Sequence, residues 1–235
     1  MSKNSKTGEK TTETIVVSLG GSTLYEGGKF DLPKAKSICA TLNQAAKTHS
    51  LVVVVGGGPL ARKRVDIIRA KGGSEYEADS EAIGATRENA KRIAGLLKNS
   101  FFVTDFGQAP ALLNKGKTVV SGGMIPGITT DAVSVLFAEL VHAKLLVNIS
   151  NVDGVYTADP RKNKRAKLIR RMTHEKLVAL AAKGDSRKAR ENFVFDLVAA
   201  KLAARSGITV HFVSSNELEN AMNQEKTLKG TIVRK

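Results

Sequence analysis

Short apolar runs alternate along this chain with longer segments in which apolar residues recur every three or four positions. Apolar runs at Ile15–Leu19, Leu51–Val55 and Lys144–Ser150 predict buried strands of the parallel-sheet kind. The segments Pro33–Thr48 and Pro59–Ala70 have helical spacing. Because strands and helices alternate almost throughout, we predict an α/β fold, a three-layer αβα sandwich with a mostly parallel central sheet.

The same patterns predict the remaining elements. Asp79 is expected to cap the N-terminus of a second long helix, and Gly207 to end a later one. The other helices and strands are expected at Asp79–Leu97, Phe101–Thr104, Ala109–Asn114, Thr118–Val120, Asp131–His142, Thr173–Ala182, Asn192–Ser206, Ile208–Val213, Glu217–Gln224 and Thr227–Val233.

Three glycine-rich turns follow apolar strands. They lie at Ser18–Ser22, Val55–Arg62 and Ser121–Asp131. Glycine allows a ligand close to the backbone, and exposed N–H groups at a helix start attract anions. Three such turns in one sheet indicate a protein that holds several phosphates.

Two common phosphate-binding patterns fit poorly. Gly116-Lys117-Thr118 resembles the end of a P-loop, but Ala111 stands where the first glycine is required, and a strand follows instead of a helix. Gly56, Gly58 and Ala61 match a relaxed dinucleotide fingerprint, but the second strand that should precede the acidic residue is missing. Binding of NAD stays open as a weak alternative.

Composition indicates an ordinary globular protein. The chain has 235 residues, of which 42% are hydrophobic and 25% charged, and its one cysteine, Cys39, excludes a disulfide framework. We expect Cys39 to pack in the core and the protein to be cytoplasmic, with no membrane segment. Residues 1–13 are predicted to form a disordered tail and residues 14–235 a single domain, with a soft division into 14–150 and 151–235.

The net charge of +15 is concentrated in one segment. Residues 160–190 contain twelve basic residues and two acidic ones, which account for two thirds of the excess. Such a segment attracts polyphosphates or nucleic acid. It lacks interleaved aromatic residues for base stacking, so nucleic-acid binding is not expected and ATP phosphates or plain solvation explain it better.

The third turn differs from the others because two hydroxyls and a carboxylate follow it. Thr129, Thr130 and Asp131 stand where a helix N-cap is expected, and they could also line a phosphoryl-acceptor pocket. The loop at 150–160 adds an aromatic residue, Tyr156, and an Asp-Pro turn at Asp159. Tyr156 and nearby backbone could bind an adenine.

Four motifs in order resemble the amino-acid kinase superfamily, and within it the archaeal-type uridylate kinases. They are VVSLGGS, VVVVGGGPLAR, SGGMIPGITTDA and LLVNISNVDGVYTADP, and the resemblance covers about residues 13–235. It implies the amino-acid kinase fold and transfer of a phosphoryl group from ATP to UMP with Mg²⁺, in pyrimidine nucleotide synthesis. It also implies a homo-oligomer, usually a hexamer.

The resemblance also implies where the substrates bind. UMP would lie over residues 14–150 and ATP over residues 151–235. Mg²⁺ would be held mainly through ATP phosphates, so no metal-ligand cluster in the protein is expected. The residues implied for UMP are Gly57, Asp79, Met124, Ile125, Pro126, Gly127, Ile128, Thr129 and Thr130. Those implied for ATP are Gly21, Ser22, Gly58, Arg62, Ser150, Asn151, Tyr156 and Asp159.

One departure from the family pattern concerns catalysis. Many members carry a lysine that touches the transferring phosphoryl group, and here Ser18 stands at that position. We expect Lys162, Lys167 and, on the acceptor side, Arg62 to supply the positive charge instead. Asp131 would orient that charge or the metal.

Alternative functions remain open at this point. Another small-molecule kinase of the same fold, acting on isopentenyl phosphate, carbamate or an amino acid, is the next hypothesis, and a non-catalytic nucleotide-binding protein follows it. Isopentenyl phosphate kinases usually carry a histidine in the acceptor pocket, and no histidine falls in the glycine turns here.

Overall fold

A computed structural model describes residues 13–160, 162–185 and 195–235 of the chain. The strands are β1 (Thr14–Leu19), β2 (Tyr25–Glu26), β3 (Lys29–Phe30), β4 (Ser50–Val55), β5 (Ser100–Val103), β6 (Thr118–Ser121), β7 (Leu145–Ser150), β8 (Arg171–Met172), β9 (Thr209–Ser214) and β10 (Gly230–Val233). Eight of them form one sheet in the order β5-β6-β4-β1-β7-β9-β10-β8. All neighbours in this sheet are parallel except β9 and β10, which are antiparallel.

Helices cover both faces of the sheet, as the continuous apolar runs of its central strands require. The helices are α1 (Leu32–Ala45), α2 (Gly58–Ala70), α3 (Glu75–Leu96), α4 (Gln108–Asn114), α5 (Thr130–Leu140), α6 (His174–Asp185), α7 (Leu197–Ser206) and α8 (Leu218–Met222). Val16 of β1 packs in a core with α5 and α7, whereas its neighbours Ile15 and Val17 pack in a second core with α1 and α3. The predicted three-layer αβα sandwich is thereby confirmed.

Two predicted helix starts were wrong. Helix α3 begins four residues before Asp79, because Ser74 and Glu77 form a capping box in which each side chain bonds the other's backbone N–H. Helix α7 begins at Leu197 with Asp196 as its N-cap. Of the earlier start predicted for α7, residues 192–194 lie outside the described residues. Gly207 does end α7 in the left-handed region, with φ of 61°.

Several small elements escaped the sequence patterns. Strands β2 and β3 form a two-stranded hairpin directly after a 3₁₀ turn at Gly21–Leu24. Strand β8 contains only two residues at the sheet edge. Runs this short give neither the period of a strand nor that of a helix.

The topology brings the chemistry to one edge of the sheet. Strands β1, β4, β6 and β7 run parallel, so the three glycine turns and the loop after β7 all leave from their carboxyl ends. This is the edge where open α/β sheets bind ligands. Within the part of the chain that the structure describes, no helix combines the length and apolar character needed to cross a membrane.

Candidate active site

The first two glycine turns are in direct backbone contact. A Cβ added to Gly21 would lie 2.3 Å from the nitrogen of Gly58, and one added to Gly58 would lie 2.5 Å from the carbonyl carbon of Gly21. Gly58 also has a φ of +57°, which side chains disfavour. Both positions therefore require glycine, and the two turns form one continuous backbone surface.

Side chains join this surface to its neighbours. The Arg62 guanidinium of α2 donates weakly to the Ser22 hydroxyl, over 3.4 and 3.5 Å. From the loop after β7, the Asn151 amide donates to the Ser22 carbonyl over 3.0 Å. The predicted residues Gly21, Ser22, Gly58, Arg62 and Asn151 thus lie together.

An open cavity of about 340 Å³ lies between α3, the third glycine turn and the start of α5. Its lining is mostly apolar, with Asp79 and three threonines among the lining residues. It is lined by Asp79, Ala82, Ile83, Thr86, Gly123, Ile125, Gly127, Ile128, Thr129 and Thr130. Six residues predicted for the acceptor nucleotide are among them.

Helix α3 holds the third turn in place. The Asp79 carboxylate accepts from the Gly127 N–H over 2.7 Å, and the Thr86 hydroxyl accepts from the Gly123 N–H over 2.6 Å. The Arg87 side chain donates to the Gly123 carbonyl over 3.1 Å. These bonds hold the turn near both of its ends, at Gly123 and Gly127.

Asp131 lies in the first turn of α5, facing β1 and β7. Its Oδ1 accepts from the Ser18 hydroxyl over 2.9 Å and from the Asn148 amide over 2.8 Å. Burial raises the pKa of Asp131 to about 7, and the negative charge of Asp196 adds to the rise, although the bonds from Ser18 and Asn148 act against it. The carboxyl therefore changes its charge close to neutral pH.

Ser18 has a clear role in this arrangement. It is 2% exposed, and the resemblance described above predicts a lysine at its position. Its hydroxyl supports Asp131 without supplying positive charge.

Asp196 brings a second helix start to the same place. Its Oδ2 accepts from the hydroxyl of Thr129, the N-cap of α5, over 2.5 Å, while its Oδ1 caps α7 through Ala199. The N-cap interpretation of Thr129 is therefore confirmed: its hydroxyl accepts from the N–H of Ala132. The N-termini of α5 and α7 meet at this point.

The loop after β7 carries the other predicted ATP residues. Ser150 bonds the backbone of Val152 in a local turn, and Tyr156 forms an isolated bridge with Leu168. Burial and the nearby Asp153 carboxylate raise the pKa of Tyr156. The Asp159 carbonyl accepts from the Lys162 N–H over 3.1 Å. The side chains of Lys162 and Lys167 are exposed on this loop.

Some predicted residues lie beside the cavity instead of lining it. Met124 packs against the core below the third turn, and Pro126 is not among the lining residues. Gly57 adjoins the cavity, since a Cβ on it would approach the Thr86 side chain within 3.3 Å.

Sequence reasoning placed Asp79 at the acceptor site but missed Ala82, Ile83 and Thr86, the other residues that α3 contributes to the cavity wall. Asp79, Ile83 and Thr86 recur at positions i, i+4 and i+7, which place them on one face of a helix. That spacing could have identified the wall once the helix was predicted. Asn148 and Asp196 were also missed, because each depends on a distant partner. Among the described residues, no group of three or more His, Cys, Asp or Glu could hold a metal ion.

Comparison with known proteins places the chain in a family. The model of the amino acid kinase family matches residues 13–214, and the chain therefore belongs to that family. A uridylate kinase from Pyrococcus abyssi is 38% identical over 86% of this chain and 91% of its own length. A uridylate kinase from Archaeoglobus fulgidus is 37% identical over 93% of this chain and 97% of its own.

Solved structures agree on the fold. The crystal structure of the Archaeoglobus fulgidus uridylate kinase superposes with a TM-score of 0.82 at 34% identity, covering 93% of this chain and 99% of the other. A UMP kinase from Bacillus anthracis gives a TM-score of 0.78 at 22% identity, over 94% of this chain and 96% of the other, and supports the fold alone. The predicted amino-acid kinase fold is confirmed.

Proposed function

We propose that this protein is a UMP kinase, which transfers the γ-phosphoryl group of ATP to UMP and gives UDP and ADP. One observation carries the proposal: an acceptor cavity opens beside the joined first and second glycine turns. The curated relatives that share most of the chain's length are uridylate kinases, which supports UMP as the acceptor.

The acceptor cavity suits a nucleoside monophosphate. Its apolar wall, with Ile83, Ile125 and Ile128, can cover a flat base, and the start of α5 presents backbone N–H groups to a phosphate. Asp79 would accept from a ribose or base donor while keeping its bond to Gly127. Within the proposal, Gly57 and the residues from Met124 to Thr130 complete this side.

The donor side would use the joined turns and the loop after β7. Gly21, Ser22 and Gly58 would hold ATP phosphates, and Arg62 would approach the transferring group from its position beside Ser22. Ser150, Asn151, Tyr156 and Asp159 would seat the adenosine. The two substrates would then meet end to end across the carboxyl edge of the sheet.

Transfer requires alignment and charge neutralisation more than covalent chemistry by the protein. A phosphate oxygen of UMP forms a bond to the γ-phosphorus as the bond from that phosphorus to the β-phosphate oxygen breaks, and ADP departs. Lys162, Lys167 and Arg62 would stabilise the charge on the transferring oxygens. Asp131, held by Ser18 and Asn148, would orient these cations.

Magnesium would enter with ATP, held by phosphate oxygens and water, with Asp131 as the carboxylate that orients it. When bound, it neutralises phosphate charge. We further propose a homo-hexamer that works in the cytoplasm in pyrimidine nucleotide synthesis. We do not expect it to bind nucleic acid or membranes.

The test is a coupled assay of ADP formation with UMP, CMP, isopentenyl phosphate and carbamate as acceptors. We expect kcat/KM for UMP to exceed the others by at least tenfold. Equal or greater turnover with another acceptor would assign the site to a different small-molecule kinase. Nucleotide binding without turnover on any acceptor would indicate a binding protein.

A further inference from the structure

Asn89 lies behind the second glycine turn, outside the residues assigned to either substrate. It sits on the buried face of α3, three residues beyond Thr86, and is 0% exposed. Its side-chain amide donates to the Gly56 carbonyl over 3.0 Å and to the Gly57 carbonyl over 3.1 Å. One amide group thus binds two successive carbonyls of the turn.

These two bonds fix the direction of the backbone amides in the turn. In a planar trans peptide the C=O and the following N–H point in opposite directions. When Asn89 holds the carbonyls of Gly56 and Gly57, it also sets the directions of the N–H groups of Gly57 and Gly58. Gly58 begins α2, where the first N–H groups have no partner within the helix.

Tyr25 of the β2–β3 hairpin completes the arrangement. Its hydroxyl donates to the Asn89 Oδ1 over 2.8 Å, which orients the amide so that its Nδ2 faces the turn. The Tyr25 ring packs edge to face against Phe30, with centroids 5.7 Å apart. The small hairpin therefore supports the second turn through Asn89.

A core role alone does not explain this choice of residue. An apolar side chain would fill the space between α3 and the sheet without a buried polar group that needs partners. Here both ends of the amide are bonded, and the bonds go to a functional turn. Polar networks that are fully satisfied in this way hold one conformation firmly.

We propose that Asn89, oriented by Tyr25, is a positioning residue that aims the Gly57 and Gly58 N–H groups at the transferring phosphate. The inference rests on the proposed phosphoryl transfer. Preorganised N–H donors act on charge that develops in the transition state, so their loss lowers kcat more than it raises KM.

The test compares Asn89 variants with a matched core variant of the same helix. Ile93→Val removes one buried methylene four residues further on α3, and its side chain makes no hydrogen bond to the turn or to Tyr25. We expect Asn89→Ala to lower kcat with UMP and ATP at least tenfold while changing each KM less than threefold. Ile93→Val should change kcat less than twofold.

Two further variants separate the donor from the side-chain volume. Asn89→Asp keeps the volume but lacks the amide donor, so it should lose as much kcat as Asn89→Ala. Tyr25→Phe removes only the bond that orients Asn89, and we expect a threefold to fivefold loss of kcat. Recovery of kcat in the Asp variant, or an unchanged kcat in Tyr25→Phe, would overturn the proposal.

A binding measurement separates this inference from the proposed function. In protein labelled with ¹⁵N-glycine, the magnesium complex of β,γ-imido-ATP, a non-hydrolysable ATP analogue that keeps the γ-phosphate, should shift the Gly57 and Gly58 amide resonances of the wild type and of Ile93→Val. In Asn89→Ala at saturation, the shifts should be less than half as large. If the shifts in Asn89→Ala are as large as those in Ile93→Val, the positioning role is overturned, whatever acceptor the enzyme uses. Failure of the wild type to phosphorylate UMP would overturn only the proposed function.

Discussion

The acceptor cavity and the loop after β7, here called the donor loop, are held in different ways. Three side chains of α3 fix the third glycine turn, with Asp79 on Gly127, Thr86 on Gly123 and Arg87 on Gly123. The loop after β7 is instead held near its base. The Thr231 hydroxyl of β10 accepts from the Val155 N–H over 2.8 Å and donates to the Ile169 carbonyl over 2.6 Å.

This difference suggests a division of labour. The acceptor cavity is bounded by a turn that α3 holds through three side chains, and small-molecule sites are usually largely formed before binding. The donor loop is anchored at Thr231 and carries Lys162 and Lys167 on its exposed part. We infer that the donor loop supplies positive charge to a site whose shape is set by the acceptor cavity.

The largest expected effect is at Asp131, where the two sides meet. Asp131→Asn keeps an oxygen that can accept from Ser18 and Asn148 but removes the negative charge. If that charge orients the cations or the metal, kcat should fall about 100-fold, the scale on which preorganised groups act. Steady-state kinetics with UMP and ATP measures it, and a loss below threefold would contradict the assigned role.

The same variant tests the pKa of Asp131 through stability. The folded-state pKa is about 7, whereas an aspartate outside the fold has a pKa of 3.8, so the folded protein binds the extra proton between these values. The contribution of Asp131 to wild-type stability should therefore fall as pH rises from about 4 to about 7. Because asparagine does not titrate, Asp131→Asn should melt higher than wild type at pH 8, with the gap narrowing towards pH 5. A constant gap in melting temperature would show that the carboxyl titrates normally.

The second effect concerns the cation that takes the place of the family lysine. We expect Lys162→Ala to lower kcat at least tenfold, because a positive charge would be lost from the transferring phosphoryl group. Lys164→Ala, two residues further on the same exposed loop, is the matched control and should change kcat less than twofold. Ser18→Ala should lower kcat less than Lys162→Ala does. Equal, small losses of kcat in the two variants would remove Lys162 from the mechanism.

The third effect should be confined to the acceptor. Asp79→Ala removes the bond to Gly127 and a ligand group, so we expect KM for UMP to rise about tenfold, which corresponds to ~1.4 kcal/mol. The KM for ATP should stay within twofold of wild type. Ser80→Ala, at the next position of α3, is the control. Equal increases in both KM values would indicate a general disturbance of the fold.

The smallest expected effect comes from the anchor of the donor loop at Thr231, and it should be confined to that loop and to ATP binding. Thr231→Val keeps the shape of a buried side chain but removes both bonds to the loop. We expect faster hydrogen exchange at residues 151–160 and 162–169 and a KM for ATP about threefold higher, with KM for UMP unchanged. Thr118→Val, at a buried position in β6, should leave that exchange unaltered.

The sequence predicted local features better than long-range ones. Apolar runs predicted the buried strands, and glycine after a strand predicted where the backbone must come close, as Gly21 and Gly58 confirm. Asp79 illustrates the limit. An acidic residue near a helix start resembled an N-cap, but Ser74 takes that role and Asp79 bonds a turn 48 positions away.

Pairs that are distant along the chain left no local pattern. Ser18 and Asp131 are 113 positions apart, and Thr129 and Asp196 are 67 apart. Each residue alone is compatible with a surface or capping role, and only the sheet order brings the partners together. Asn89 resembled an ordinary polar residue on a helix until the two carbonyls beside it were visible.

The most direct test of the central claim is ³¹P NMR of UMP and Mg-ATP mixed with the wild-type protein. We predict that the β-phosphorus resonance of UDP grows at the same rate as that of ADP, with no inorganic phosphate. Formation of ADP and free phosphate with UMP unchanged, or no reaction at all, would contradict transfer between two nucleotides at this site.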